Sequence, residues 1–584
     1  MTYSVDSVTI LYGSETGNAQ DYAHYLARKL RYHSLRPTLA SLDSYDMKKL
    51  ITETRFLIIL CSTTGQGELP RNAKKFMRFL LKKKLPADLL SHVKCTTFGL
   101  GDSSYPKFNH AIKKIHTRLA QLGCVDLSPR CESDELAPEG VDGFYAEWES
   151  ALIEALHLHF PNAPQIDENV LLPPEYRLSL DESKPDLCPV GDLGLTRPAA
   201  LFRGKITKNT RVTAQDHFQD VRHVVIESAD ALSYSPGDTV ALYPQNDEKS
   251  VELLLESQPH WLKIADKPLS LPHVDIEGGL ISREKLTLRT LLTYHMDIQA
   301  IPQRSFFALL HHFVDSSSED GQRERDKLRE FSQIENSEDL YNYAHRPRRS
   351  ILETVMEFSQ NLRIPVEYVL DLFPVIKVRL FSIASKPSPN LIEIVVAIVE
   401  YKTIIRRVRR GLCTKWLKSL EPGSELVFSV HASNLQFSTR QNPSPPVVMV
   451  SPGTGVAPMK SLIESAAGSQ ELYLFYGCRY RSKDFLFSDL WSSLEAKNFL
   501  HVYTAISREE SKFKYVQDCM FGEKKLLSDL IVNKGAIFFL CGSNGKMPTQ
   551  VRLTLVEILR ELVAEPEKYL IDMENEGRYI QETW

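Results

Sequence analysis

The sequence predicts an α/β multidomain chain with two parallel-sheet domains flanking a middle of antiparallel strands and helices. Three observations carry this expectation. Short apolar strands alternate with helical patterns over residues 1–155, the βαβ rhythm of a parallel sheet covered on both faces. Turn-joined strands at 200–245 return as "VIKVRLFSIAS" and "NLIEIVVAIVEYK", and a mostly helical stretch, about 247–372, separates them. From about residue 440 the βαβ rhythm resumes in "PVVMVSPGTG", "ELYLFYGCR", "LHVYTAIS" and "AIFFLCGS". A length of 584 residues suits three or four domains.

In the first domain the strands are read in "SVTILYG", "RFLIILCS" and "KCTTFGLG". The helices are read in "AQDYAHYLARKLRYH", "NAKKFMRFLLKKK" and "KFNHAIKKIHTRLAQLG". Residues 156–197 carry Pro161, Pro164, Pro173, Pro174, Pro185 and Pro189 with little periodicity, so they are expected to form a semi-rigid linker. Within the helical insert, "DSSSEDGQRERDK" reads as a polar surface loop. The resulting division is 1–155, a linker at 156–197, a β-rich domain at 198–440 with its insert, and 441–584.

Composition narrows the function classes. The chain is 43% hydrophobic and 25% charged, with a net charge of −4, so no global bias toward nucleic acid or anionic membrane exists. The opening "MTYSVDSVTILYG" lacks a basic stretch followed by an apolar one, so no secretory leader is expected. The apolar runs have strand length and fall short of the about 20 residues that span a bilayer, so no membrane anchor is expected. Nine cysteines form no CxxC and no zinc spacing; no metal site is expected, and a reducing, cytoplasmic location is.

Three loops rich in Gly, Ser and Thr follow the first three of these strands: "GSETGNAQ", "STTGQGELP" and "GLGDSSYPKFN". Ligands of open α/β sheets bind outside the carboxyl ends of the strands. A turn of hydroxyls and backbone N–H groups at a helix start suits an anion, although it serves equally as a plain helix cap. These loops resemble the flavin mononucleotide loops of flavodoxins and diflavin reductases. The resemblance implies a flavodoxin-like doubly wound domain. In it Ser14, Glu15, Thr16, Gly17, Asn18 and Ala19 hold the FMN phosphate. Ser62, Thr63, Thr64 and Gly65 then wrap the isoalloxazine, together with Leu100, Gly101, Asp102, Ser103, Ser104, Tyr105, Pro106, Lys107, Phe108 and Asn109. Tyr105 stacks on the ring, and Glu135 is an acidic neighbour. Thr64 stands where cytochrome P450 reductases carry a second stacking aromatic.

Further along, "RLFSIAS" and "GLCT" resemble the R-x-[YF]-S and G-x-[CA]-[ST] motifs of ferredoxin reductase-type FAD domains, which are antiparallel β-barrels. The resemblance assigns Arg379, Leu380, Phe381 and Ser382 to FAD, with Gly411, Leu412, Cys413 and Thr414 at its pyrophosphate. Val395, Val396, Ala397 and Tyr401 line the adenine and ring side, and Arg349 is a further FAD arginine. The run "RRVRR" (406–410) reads as a solvated face or as weak phosphate steering.

"SPGTGVAPMK" resembles the pyridine-nucleotide loop G-P-G-T-G-x-A-P-[FL]-R, with Ser451, Met459 and Lys460 as departures. Gly453, Thr454 and Gly455 are expected at a pyrophosphate. "SREESKFKYVQ" matches the NADPH 2′-phosphate clamp through Ser507, Arg508, Lys514, Tyr515, Val516 and Gln517. Phe513 occupies the usual lysine position, between Lys512 and Lys514. "LCGSNGKMP" and the closing "GRYIQETW" resemble the strand end and tail of diflavin reductases. They imply a ferredoxin reductase-type NADP-binding domain and a hydride-transfer set of Ser382, Cys541, Glu582 and Trp584. Trp584 would shield the FAD ring and swing aside for the nicotinamide, unless it merely packs as a core plug; Cys541 has a plain reading as a buried inert thiol.

The resemblance spans almost the whole chain. Its details are most similar to the NADPH-dependent diflavin oxidoreductases of cytosolic iron–sulfur protein assembly. It implies electron flow from NADPH to FAD to FMN and then to a one-electron acceptor, an anamorsin-type Fe–S protein. The linker and insert are expected to let the FMN domain move between FAD and that acceptor. The basic residues of "NAKKFMRFLLKKK" form either a solvated face or a dock for an acidic partner. Two other functions stay open. One is a soluble reductase for a cytochrome, sulfite reductase or methionine synthase; the other is a non-catalytic scaffold that kept the fold.

Overall fold

The computed structural model describes residues 7–65, 67–105, 107–138, 140–176, 178–181, 201–270, 286–404, 406–433, 445–466 and 468–583. Its chain divides into two compact units. The first gathers Met1–Leu187, Glu252–Val274 and Asp297–Pro374, and the second gathers Cys188–Val251, Asp275–Met296 and Val375–Trp584.

The first unit is built on a parallel sheet of β1 (Ser7–Gly13), β2 (Arg36–Ser41), β3 (Phe56–Ser62), β4 (Lys94–Gly101), β5 (Val125–Asp126) and β6 (Cys131–Asp134). The order is β2-β1-β3-β4-β5, with β6 also on β4, the flavodoxin-type winding. Both faces are covered, so β1, β3 and β4 are buried along nearly their whole length rather than at alternate positions. Helices α1 (Asn18–Tyr32), α2 (Met47–Thr52), α3 (Lys74–Leu80), α4 (His110–Gln121) and α5 (Gly140–His159) supply that cover. In α1 the buried residues Ala19, Ala23, Leu26, Ala27 and Leu30 follow helical spacing, and Asp21 and Lys29 sit at the ends the helix dipole favours.

The proline-bearing segment after α5 is bound rather than loose where it is described. Tyr32 donates to the Val170 carbonyl (3.1 Å), Ser34 to that of Pro164 (2.6 Å) and Tyr368 to that of Leu172 (3.0 Å). Residues 182–200, most of the expected linker's second half, lie outside the described residues.

Most helices of the insert belong to this same unit; Leu288–Tyr294 belongs to the second. Arg304, 5% exposed, makes a bidentate pair with Asp142 of α5 (2.6 and 2.9 Å), Ser305 donates to Asp21 of α1, and Arg28 donates to the Ala308 carbonyl (3.1 Å). Removing one partner of such a buried pair costs about 3–5 kcal/mol. These contacts join the first domain to the insert within this unit. The expected loop at "DSSSEDGQRERDK" is also corrected: Glu319–Glu330 is a helix. Ser318 caps it by accepting from the Gly321 N–H (3.0 Å), acids open it, bases close it, and Leu328 anchors it.

The second unit holds an antiparallel sheet of β8 (Phe202–Arg211), β9 (Val221–Ser228), β10 (Thr239–Leu242), β12 (Arg379–Ser382), β13 (Leu391–Ala397) and β16 (Glu425–His431). The short β7 (Ser179–Leu180) and β11 (Leu269–Ser270) pair in the first unit. The order β12-β10-β16-β8-β9-β13 nearly closes into a barrel, and an Ile383–Ile394 bridge joins its two ends. A hairpin of β14 (Glu400–Lys402) and β15 (Val408–Arg410) follows β13. A parallel sheet completes the unit: β17 (Val447–Pro452), β18 (Leu472–Cys478), β19 (His501–Ile506), β20 (Ile537–Gly542) and β21 (Tyr579–Thr583), in the order β19-β18-β17-β20-β21. Barrel residues Val221, Ala384 and Val395 share one core with Val447, Met449, Val456 and Trp491 of this sheet. Among the described residues no helix is long and apolar enough to cross a membrane, and the cysteines are free thiols.

Candidate functional site

The first cradle sits at the carboxyl end of the β1–β6 sheet. Gly17 caps α1 at φ 114° and has no side chain to satisfy the first-turn N–H groups, which are left to face an anion. The loop is braced from a distance. The Ser14 N–H donates to the Asn72 carboxamide (2.9 Å), the Gly17 N–H to Ser14 Oγ (3.0 Å), and Glu15 accepts from the Arg71 N–H and pairs with its guanidinium (both 3.0 Å). Thr16 and Asn18 are exposed, and Ala19 is buried on the sheet. This arrangement fits a single phosphate.

The next two loops are stiffened likewise. Thr63 Oγ1 accepts from the Ala111 N–H at the start of α4 (3.3 Å), so its hydroxyl serves the fold. Thr64 pairs with Glu68 in a tight turn in which Gly65 and Gly67 have positive φ. Asp102 caps Ser104 (2.8 Å), Asp134 accepts from the Ser103 N–H (3.0 Å), and the Glu135 N–H donates to the Gly101 carbonyl (2.9 Å). Tyr105 is 45% exposed, with no ring–ring contact among the described residues, which suits stacking on a planar ligand. Asn109 is fully buried at φ 52°. Its amide donates to the Ser133 carbonyl (2.9 Å), and its side-chain oxygen lacks a hydrogen-bond partner among the described residues. Ser62 donates to the Gly13 carbonyl (3.4 Å), and Lys113 stacks on Phe108. Lys107 is exposed, Leu100 is buried, and Pro106 lies outside the described residues.

The second cradle is on the barrel. β12 pairs with β10 in the register Ser382–Thr239, Phe381–Val240, Leu380–Ala241 and Arg379–Leu242. The Arg379 guanidinium is exposed and, among the described residues, holds only local carbonyls, those of Lys377 (2.9 Å) and Val378 (3.4 Å), so it is available to a pyrophosphate. Gly411 caps the helix Leu412–Ser419 with no side-chain hydrogen bond, a second open N-terminus. Two side chains of this turn also serve the fold. Thr414 Oγ1 accepts from the Val399 N–H (3.1 Å), and Cys413 is buried in the barrel core, where burial first, against the pull of Arg379, pushes its thiol up to about 12. Val396 also faces the barrel core, whereas Val395 and Ala397 pack toward the parallel sheet. Tyr401 is 46% exposed on its hairpin. Arg349 belongs to the first unit, where it pairs with Glu357 and lies over Tyr343 (4.2 Å).

The third cradle follows β17. Its two glycines have different reasons. Gly453, at φ 59°, would meet nothing within 4 Å if given a Cβ, so its face is open. A Cβ on Gly455 would stand 2.3 Å from the Cys541 carbonyl oxygen, so there the backbone must approach β20. Thr454 lies between them in a single 3₁₀ turn. Cys541 is fully buried and stands opposite Glu582 in the β20–β21 register; burial first, then the Glu582 charge, raises its thiol well above the ordinary value. It is a neutral thiol, not a nucleophile. Trp584 lies outside the described residues.

In the clamp, Ser507 is held by its N–H to the Cys478 carbonyl (3.0 Å) and Arg508 is exposed. Tyr515 is 59% exposed and caps the helix Val516–Gly522. Lys514 donates to the Glu509 carbonyl (2.6 Å), Val516 is core, and Gln517 is half-buried. Phe513 packs its ring over Gly522, and Lys512 covers it at 4.7 Å. Arg481, not anticipated from sequence, reaches the clamp strand by donating to Thr504 (2.7 Å). Asn72, Arg71 and Asp134 were equally unforeseen, because each acts on a loop far away in sequence.

Three family models match the chain: flavodoxin over residues 10–148, FAD binding domain over 196–416 and oxidoreductase NAD-binding domain over 449–552. Curated relatives match end to end. The NADPH-dependent diflavin oxidoreductase 1 of Debaryomyces hansenii is 60% identical over 599 residues, covering 99% of each chain. The proteins of the same name from Candida albicans and Saccharomyces cerevisiae are 54% and 39% identical, over 99% and 100% of each chain. At that identity and coverage, the chain belongs to the NADPH-dependent diflavin oxidoreductase family.

Proposed function

We propose that this diflavin oxidoreductase uses an anamorsin-type Fe–S protein as its electron acceptor, in cytosolic iron–sulfur cluster assembly. Its cofactors are FMN, FAD and NADPH. When bound, NADPH supplies a hydride, and the two flavins convert it into single electrons. The chain's own residues bind and orient. The α1 N-terminus with Ser14 holds the FMN phosphate, and Tyr105 covers its ring. Arg379 and the Gly411 turn hold the FAD pyrophosphate. Gly453 opens the pyridine-nucleotide loop, and Ser507, Arg508 and Lys514 take the 2′-phosphate. Ser382, Cys541 and Glu582 border the hydride path as neutral or acidic hydrogen-bonding groups, with Trp584 as the aromatic shield.

One observation carries the choice of acceptor. On α3 and the turn after it, Lys75, Arg78, Lys82, Lys83 and Lys84 are exposed and have no carboxylate partner among the described residues. Lys74 pairs with Glu68 (3.6 Å), which places this basic surface next to the Thr64–Glu68 turn of the FMN cradle. A basic surface beside the electron exit suits an acidic acceptor and steers its approach.

The test is anaerobic stopped-flow with NADPH and the purified Fe–S protein. Cluster bleaching is expected, slowing several-fold as salt rises by about an order of magnitude. Reversing Lys82, Lys83 and Lys84 to Glu should slow this acceptor and leave ferricyanide reduction unchanged. An Fe–S protein that stays oxidised while a cytochrome is reduced would contradict the assignment.

A further inference from the structure

The helix Val456–Ala466 leaves the pyridine-nucleotide loop and is buried on nearly every side, yet it carries a lysine. Lys460 is 5% exposed. A buried ammonium is tolerated only where charged and polar groups replace its water. Here Lys460 Nζ donates to Glu393 Oε2 of β13 (2.8 Å), to Glu464 one turn on (2.9 Å) and to the Ala384 carbonyl (3.4 Å). The Phe487 ring lies 5.5 Å from it. Glu393 Oε2 also meets His223 Nε2 of β9 (3.0 Å), and His223 stands edge-on to the same Phe487.

The neighbouring residue makes a second stitch. Ser461 donates to the Ser385 carbonyl (2.7 Å), and Ser385 Oγ accepts from the Glu393 N–H (3.1 Å) and bonds Tyr234 (2.8 Å). Every barrel atom that Lys460 and Ser461 hold is close in the chain to a flavin-side residue. Ala384 is two residues past Ser382, and Glu393 is two before Val395 on the same strand. At the other end, Lys460 follows Gly455 by five residues, a rise of about 7.5 Å along a helix.

We propose that Lys460 is a positioning residue for hydride transfer: with Glu393, Glu464 and Ala384 it fixes the nucleotide-bearing helix against the flavin-bearing strand. This rests on the assignment of Gly453–Gly455 to NADPH and of Arg379–Ser382 to FAD. The network touches neither reacting group. Its part is to set where the nicotinamide lands on the ring, while the 2′-phosphate clamp on another strand sets how tightly the nucleotide is held. An apolar replacement leaves the two half-buried carboxylates of Glu393 and Glu464 facing each other without their shared cation, which pushes the helix from the strand; an arginine retains the charge.

The test uses the holoenzyme with Lys460→Met and Lys460→Arg. Affinity for 2′,5′-ADP, which engages only the clamp, is measured by calorimetry. The flavin difference spectrum produced by NADP⁺ reports nicotinamide stacking, and stopped flow gives the flavin reduction rate. For Lys460→Met the expected result is 2′,5′-ADP affinity within about twofold of wild type, a difference spectrum reduced by more than about half and a reduction rate down about tenfold or more, with Lys460→Arg restoring both. If Lys460→Met fails to accumulate, Ser461→Ala, which loses one hydrogen bond, is expected to show the same pattern at about two- to fivefold. Unchanged spectrum and rate in the variant that folds, or equal loss of 2′,5′-ADP affinity, would overturn the proposal. A wild type that binds no 2′,5′-ADP would instead refute the nucleotide assignment beneath it.

Discussion

In the β1–β6 sheet the phosphate turn is held by side chains that arrive from elsewhere: Asn72 on the Ser14 N–H and Arg71 on Glu15. In the β17–β21 sheet the corresponding turn is held by backbone, with Gly455 pressed against the Cys541 carbonyl. Both are glycine turns after the first strand of a parallel sheet. A turn held by side chains loses one hydrogen bond when a brace is cut and keeps its shape; a turn held by close backbone approach cannot admit even a methyl group.

The largest expected effect follows from that difference. Gly455→Ala places a carbon 2.3 Å from a backbone oxygen that cannot move aside. A cost of about 3 kcal/mol is expected, read as a fall of about 100-fold in NADP⁺ affinity. Gly453→Ala meets nothing and bears only the strain of its positive φ, about 1 kcal/mol. Equal effects from the two substitutions would break the comparison.

Acidity sharpens it further, because two half-buried carboxylates, one in each unit, shift in opposite directions. In the first unit Asp371 is pushed up to about 6 from 3.8 by burial first, with the Glu175 charge adding to it, against the hydrogen bond from the Glu175 N–H and the pull of Arg28 and Arg31. Its folded form holds the proton more tightly than its unfolded form. Its contribution to stability is therefore fully present below about pH 3.8 and is lost as pH rises through about 6. In the second unit burial would raise Glu393, but hydrogen bonds from His223 and Lys460 outweigh it and hold the carboxyl at about 2. That contribution is present above the ordinary 4.5 and is lost as pH falls toward 2. Burial holds the first-unit residues His24, His311 and His312 below the ordinary imidazole value, so they cost this unit stability as pH falls from 7 to 4.5. In hydrogen exchange over that range, Asp371→Asn should make the first unit's loss of protection steeper, because the opposing gain from Asp371 is gone.

The smallest expected effect concerns Phe513. Restoring a lysine there empties the space over Gly522 and adds a charge beside Lys512 and Lys514. The NADPH-over-NADH ratio of kcat/KM should rise by no more than about threefold, about 0.6 kcal/mol. A tenfold rise would return Phe513 to the site.

The elements legible in the sequence were those with a strong local signal. Strand β3 is an uninterrupted apolar run, β1 and β4 are apolar runs broken by threonines, and α1 and α4 carry their buried residues at helical spacing. The helix Glu319–Glu330 was illegible because its interior has only Leu328 as an apolar anchor, so charge masked its period. At the site, the glycine turns could be found from local spacing. The braces could not: Asn72 is 58 residues from Ser14, and Asp134 is 31 from Ser103. Facing was also hidden. Cys413 and Thr414 belong to a nucleotide motif, yet their side chains serve the barrel and leave only backbone to a ligand.

The most direct measurement is the flavin released from wild type and from Asn72→Ala, quantified by chromatography. Equimolar FMN and FAD are expected in the wild type. In Asn72→Ala the Ser14 turn loses its brace, FMN affinity falls about tenfold, and FMN washes out while FAD stays at one per chain. Loss of both flavins together, or a wild type holding only one kind, would contradict two separately built cradles feeding one electron path.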